Sequence, residues 1–133
     1  MLNYIHPDNL HEHWKLVRDG LGRILERTQD RWIIEDVYHL LKTNSMGLYV
    51  QDGGKGFAIL QPVKGWDGME LFIFAGYSMD DHDVISQDID SIKDIARSIN
   101  AKRIRFQTKR KGWEKRAEEY GYKLSMVEYE VSL

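Results

Sequence analysis

Three consecutive segments decide the fold: Gly68–Tyr77 reads GMELFIFAGY, Val84–Asn100 reads VISQDIDSIKDIARSIN, and Lys102–Thr108 reads KRIRFQT. The run Leu71-Phe72-Ile73-Phe74-Ala75 is the pattern of a strand buried on both faces. The middle segment places Ile85, Ile89, Ile92, Ala96 and Ile99 on one face of a helix. The third alternates, with Ile104, Phe106 and Thr108 on one side and Arg103, Arg105 and Gln107 on the other. A strand, a helix of about four turns and a second strand predict a right-handed parallel crossover.

Outward from this unit the pattern stays legible. Gly112–Gly121 (GWEKRAEEYG) predicts a short helix closed by Gly121-Tyr122, and Tyr122–Leu133 (YKLSMVEYEVSL) a final strand. Its alternation runs through Tyr122, Leu124 and Met126 and resumes one residue out of phase at Val127, Tyr129 and Val131. That slip predicts a β-bulge near Ser125–Glu128. Towards the N-terminus, Met46–Gln51 and Gly56–Val63 alternate around an Asp52-Gly53-Gly54-Lys55 turn, and 64–68 makes a second turn into Met69–Tyr77. A first helix opens near Pro7, with a stripe through Leu10, Trp14, Val17, Leu21, Ile24 and Leu25. Gly20 and Gly22 interrupt its middle and predict close packing or a kink there. A second helix is expected over Ile34–Lys42, with Glu35 and Asp36 in its first turn. The predicted order is α-α-β-β-β-α-β-α-β, one mixed α+β domain over residues 1–133.

Composition narrows the function classes. The 133 residues include no cysteine, which excludes a thiol nucleophile, a Cys-ligated zinc site and a disulfide framework. The opening MLNYIHPDNL lacks the basic-then-apolar layout of a secretory signal, and no apolar run reaches membrane-spanning length. A cytoplasmic protein without a membrane partner is the expectation. The net charge is −2, but its distribution is uneven. Asp80, Asp81, Asp83, Asp88, Asp90 and Asp94 crowd one segment; Lys102, Arg103, Arg105, Lys109, Arg110, Lys111, Lys115 and Arg116 crowd the next. The basic cluster reads as solvated surface, a phosphate contact or a nucleic-acid patch, and the acidic balance argues against the last. His11 and His13 point in different directions on a helix and share no metal. Asp80–Asp83 is rich in oxygen ligands, yet it lacks the glycine and terminal glutamate of a calcium loop. No metal site is expected.

The element order, with His13-Trp14, Glu35-Asp36-Val37-Tyr38 and Arg110-Lys111-Gly112-Trp113-Glu114-Lys115-Arg116-Ala117 before Gly121-Tyr122, resembles the GNAT-type N-acyltransferases. It is most similar to the short GNAT-like proteins of tailed bacteriophages. The resemblance implies a GNAT-like fold with a central mixed sheet and two splayed parallel strands, Met69–Tyr77 and Lys102–Thr108, with acetyl-CoA in the gap. Cofactor contacts would then fall on the backbone near Phe74, Ala75 and Tyr77, on the helix opening near Val84, and on Lys109, Arg110 and Lys111. A glutamate on the central strand often acts as base in that family, and here Glu70 is the candidate, with a solvated edge position or pairing to an arginine as its structural readings.

Two departures matter. The family's diphosphate loop, [RQ]-x-x-G-x-[GA], is replaced by Ser78-Met79-Asp80-Asp81-His82-Asp83, where Asp81 or Asp83 suits a helix cap. The position of the family's general-acid tyrosine, four residues before Gly121, holds Ala117, while Tyr120 reads as core. Two functions stay open: an acyl-CoA-dependent N-acetyltransferase acting on an amine, or a non-catalytic accessory or virion-associated phage protein with a protein partner. The altered loop and Ala117 favour the second and predict that acetyl-CoA binds weakly or not at all.

Overall fold

The computed structural model describes residues 1–80 and 83–133. It contains a five-stranded sheet whose spatial order follows the sequence: β1 (Leu2–Ile5), β2 (Gly47–Gln51), β3 (Gly56–Gly65), β4 (Gly68–Ser78) and β5 (Ile104–Phe106). Pairings from β1 to β4 are antiparallel, and β4–β5 is parallel. The β2–β3 turn places Gly53 and Gly54 at φ 89° and 72°, left-handed values that glycine adopts without steric cost. β1 escaped the sequence reading, and its four residues carry too short an alternation to stand out.

Helices cover both faces. A 3-10 turn at Pro7–Asn9 leads into α1 (Leu10–Thr28), and α2 (Ile34–Lys42) follows. Leu10, Val17, Leu21, Val37 and Leu41 pack on Leu48, Val50, Phe57, Ile59 and Ala75. On the opposite face, α3 (Val84–Gln87) and α4 (Ile89–Ser98) pack Val84, Ile92 and Ala96 on Ala58, Leu60, Leu71 and Ile73. The predicted 84–100 helix is thus two helices that meet at Asp88. That side chain turns inward, where its carboxylate accepts from the Gln51 amide at 2.6 Å. A short α5 (Trp113–Glu119) follows β5, ended by Gly121 at φ 85°.

β4 carries the irregularity that shapes one end of the sheet. Ile59 of β3 opposes Ala75 while Leu60 opposes Ile73, so Phe74 is an extra residue on β4. A bulge of this kind bends its strand and shifts the side-chain phase. Ile73 accordingly faces the α3/α4 layer, whereas Ala75 faces the α1/α2 layer. Pairing with β5 runs Leu71↔Ile104, Phe72↔Arg105, Ile73↔Phe106 and then stops. Beyond the bulge, β4 runs on to Ser78 without β5.

The predicted final strand is a correction. Residues 123–133 form no strand and are exposed throughout. A bulge near Ser125–Glu128 has no ladder in which to sit. Tyr120, read as core, lies 37% exposed.

The two glycines of α1 separate cleanly. A Cβ on Gly20 would stand 2.5 Å from Phe57 Cε1 and 2.6 Å from Tyr77 Cδ1, whereas on Gly22 it would meet nothing within 4 Å. Gly20→Ala should therefore destabilise by ~1–3 kcal/mol through overpacking, outweighing its helix-propensity gain. Gly22→Ala should stabilise by ~0.5–1 kcal/mol through propensity alone. Urea denaturation of both variants reads the difference; equal effects would refute the close approach of α1 to the sheet.

Candidate functional site

The candidate site is the gap between β4 and β5 past the Phe74 bulge. Phe74, Ala75 and Tyr77 line the β4 side, but their side chains belong to the core below. Phe74 packs on Trp32 with ring centroids 5.2 Å apart, Ala75 is buried, and the Tyr77 ring lies 5.8 Å from that of Phe57. What β4 offers from Phe74 to Ser78 is main chain, on an edge that β5 leaves uncovered. An extended amide-bearing chain fits such an edge by backbone hydrogen bonds.

At the α3 end of the gap stands one carboxylate, Asp83. Asp83 precedes α3, and its Oδ1 accepts from the Ile85 N–H at 3.1 Å while Oδ2 receives Arg116 Nη1 at 3.2 Å. Asp80 Oδ1 stands 4.0 Å from Lys55 Nζ. Asp81, the other cap candidate, and His82 lie outside the described residues. The Asp83 carboxylate thus uses one of the free N–H groups at the start of α3 and puts negative charge there. α3 is a single turn of four residues, so little dipole accumulates behind it.

On the opposite wall, Lys109 Nζ lies 3.6 Å from Asp30 Oδ1. The Arg110 backbone N–H donates to Thr108 Oγ1 at 3.0 Å. Among the described residues, Arg110 and Lys111 form no ion pair. They are exposed cations beside the gap. Ala117 offers no proton donor; its carbonyl accepts the N–H groups of Tyr120 and Tyr122 at 3.2 and 2.9 Å.

The structure places Glu70 at the other end of β4. Its carboxylate takes Arg103 Nη1 on one oxygen and Arg105 Nε at 3.0 Å on the other, and Arg103 also grips Asp67 at 2.6 Å. Hydrogen bonding by Arg103, aided by Arg105, holds the Glu70 carboxyl below the usual glutamate range, and hydrogen bonding by Arg103 holds that of Asp67 at about 2. A carboxylate held ionised between two guanidiniums is a poor proton acceptor. It lies away from the gap and braces β4 against β5.

Tyr122, read from the sequence as the residue after the helix-closing Gly121 and as the start of a strand, has a further role in the packing. Its ring meets Phe106 edge-on at 5.0 Å, and its hydroxyl donates to the Ile85 carbonyl at 3.5 Å. Burial raises its phenol pKa further above the ordinary tyrosine value, with the nearby Asp83 charge adding to the shift. The sequence signal was Gly121-Tyr122 itself: after the left-handed glycine the Tyr122 backbone N–H returns to the Ala117 carbonyl of the helix, which aims the ring at β5. Among the described residues no group of three or more ligand-type side chains gathers to hold a metal. No helix among the described residues is long and apolar enough to cross a membrane.

No family model and no curated protein matches the sequence. Solved structures do match the fold. A probable acetyltransferase superposes with a TM-score of 0.72 at 15% identity, covering 100% of this chain and 97% of the other. The ribosomal-protein-alanine N-acetyltransferase of Brucella melitensis biovar Abortus 2308 gives 0.72 at 18% identity, covering 100% and 99%. A predicted acetyltransferase from Clostridium acetobutylicum, solved with acetyl-CoA, gives 0.67 at 14% identity, covering 99% and 96%. The fold is therefore the mixed α+β fold of the GNAT acetyltransferases, as the order of elements implied.

The Asp67–Arg103–Glu70–Arg105 group sets a pH dependence. Both carboxyls titrate lower in the folded chain than in the unfolded one. Their stabilisation is thus complete above about pH 5 and is lost as pH falls towards about 2. Glu70→Gln should lower Tm by a few degrees at pH 7 and flatten the fall in Tm between pH 5 and 2.5. Calorimetric melts across that range decide it; an unchanged acid limb would rule out the brace.

Proposed function

We propose that this chain is a GNAT-like domain that retains the scaffold of an acyl-CoA cleft without a working diphosphate seat. It serves as a non-catalytic accessory or virion-associated protein of the kind tailed bacteriophages encode, in the host cytoplasm or the particle. Its partner is a protein rather than a nucleic acid, in keeping with a net charge of −2 and with the use of Arg103 and Arg105 in internal ion pairs. One observation carries the reading: the Asp83 carboxylate caps α3, where the fold would have to receive two phosphates. Ala117 at the proton-donor position and Glu70 between two arginines support it.

A second reading, an acyl-CoA-dependent N-acetyltransferase acting on an amine, draws on the uncovered β4 edge from Phe74 to Ser78 and on the exposed Arg110 and Lys111. The former could receive a pantetheine arm by backbone hydrogen bonds, and the latter could meet a phosphate outside the Asp83 end. Affinity for acetyl-CoA separates the two.

Calorimetric titration should give a dissociation constant in the high-micromolar range, or no heat at all. Asp83→Asn keeps a side chain that caps a helix about as well as aspartate and removes one charge from the phosphate position. It should tighten acetyl-CoA binding by about tenfold, the equivalent of ~1.4 kcal/mol of relieved repulsion. A low-micromolar constant for the unaltered chain would overturn the reading and establish the acetyltransferase.

A further inference from the structure

The dipeptide Asp-Gly occurs three times in the chain, at Asp19-Gly20, Asp52-Gly53 and Asp67-Gly68. In this dipeptide the backbone can attack the side chain, because the glycine has no Cβ to hinder the approach. The glycine amide nitrogen adds to the aspartate Cγ, and a protonated carboxyl oxygen departs as water with the amide proton. The product is a five-membered succinimide, which water reopens at one of two carbonyls. Cleavage of the new N–Cγ bond restores aspartate. Cleavage of the original peptide bond leaves isoaspartate, with the chain running through Cβ and the free carboxylate on Cα. One water leaves and one returns, so the net change is an isomerisation in which nothing is oxidised or reduced.

The cyclisation needs a carboxyl that can be protonated and turned, an amide that is not engaged, and a backbone free to move. The structure sorts the three sites on these grounds. Asp19-Gly20 lies inside α1 with Gly20 buried, so the helix ladder fixes both amide and backbone. Asp67-Gly68 closes the β3–β4 turn, where Arg103 donates from Nη1 to Asp67 Oδ1 at 2.9 Å and from Nη2 to Oδ2 at 2.6 Å. Such a fork fixes both oxygens and keeps the group ionised, in line with a carboxyl held at about 2. Gly68 is itself paired with Gly65 in the ladder.

Asp52-Gly53 is held far less. The Asp52 side chain is 68% exposed. Gly54 N–H closes the turn on the Gln51 carbonyl at 2.9 Å, and no hydrogen bond among the described residues occupies the Gly53 N–H. A Cβ on Gly53 would meet nothing within 4 Å. Asn3 Nδ2 donates to Asp52 Oδ1 at 2.7 Å, and the Met1 amine, 3.8 Å from Oδ2, stands closer to Asp88.

We propose that Asp52-Gly53 is a modification site at which the folded chain forms isoaspartate, while α1 and Arg103 hold Asp19 and Asp67 against the same reaction. The carboxylate so created is the substrate class of isoaspartyl methyltransferases. The change also reaches β1, the terminal strand on that side of the sheet. Asn3 ties β1 to the turn through Asp52 Oδ1, and a displaced carboxylate breaks that tie.

The test ages the folded protein for several weeks in mildly acidic buffer at body temperature. Peptide mapping with electron-transfer fragmentation locates isoaspartate, and methyl incorporation by an isoaspartyl methyltransferase counts it independently. Isoaspartate at 52 should exceed that at 19 and at 67 by about tenfold or more. The chain aged in guanidinium chloride should form it at all three positions at comparable rates. Arg103→Gln should raise the rate at 67 by about fivefold or more and leave that at 52 unchanged. Arg103→Lys, which keeps the charge and loses the fork, should fall between. Amide exchange in β1 should be faster in the isoaspartate-bearing fraction than in fresh protein. Folded protein with no isoaspartate at 52, or with as much at 19 or 67, overturns the proposal. So does a rate at 67 that Arg103→Gln leaves unchanged, and so does amide exchange in β1 that is indifferent to the modification.

Discussion

One extra residue in the central strand governs the architecture. With Phe74 inserted between Ile73 and Ala75, β4 changes the face it presents to each helical layer halfway along its length. Before the insertion its buried side chains serve the α3/α4 layer; after it they serve α1/α2. The ladder to β5 ends at the residue before it. The splay of the two parallel strands, the uncovered main-chain edge and the seating of Tyr77 beneath Gly20 all depend on that count. The bulge is an element of the design of the sheet rather than a flaw in it.

Around this bend the charged groups divide into two populations with different roles. At the N-terminal end of β4, Asp67, Glu70, Arg103 and Arg105 satisfy one another across the β4–β5 contact. That is the end at which the two strands are paired. At the C-terminal end, Asp83 spends its carboxylate on the first turn of α3 and on Arg116. An architecture shared with acetyltransferases therefore has its acids and bases engaged in holding the sheet and its helix together.

Much of this was legible beforehand, and the failures have physical causes. The α1 stripe, the Gly-Gly turn, the parallel crossover and the cap at Asp83 are local signals, and local signals survive translation into three dimensions. The position of the bulge was invisible because Phe72-Ile73-Phe74-Ala75 is apolar at every residue, so a change of phase leaves no mark on the hydropathy. In the tail the reverse occurred: Met126-Val127 displays a phase slip, but a slip becomes a bulge only against a partner strand. The 84–100 helix divides at Asp88 because Gln51, 37 positions away, offers that carboxylate a buried hydrogen bond. No window of sequence around residue 88 contains that information. At the gap itself, the inward direction of Phe74 and Tyr77 emerged only with the packing.

The strand order β1-β2-β3-β4-β5 has a consequence for how the molecule is made. Each strand in turn attaches to the edge left by the one synthesised before it, so vectorial emergence from the ribosome matches the direction in which the sheet grows. At no stage must a completed ladder reopen to admit a later strand, a step that would be slow and would expose bare edges. The long waits fall between β1 and β2 and between β4 and β5, where helices must first be laid down on opposite faces. Nascent chains stalled within those intervals would display, in turn, a lone N-terminal strand with its two helices and then a four-stranded half-covered sheet.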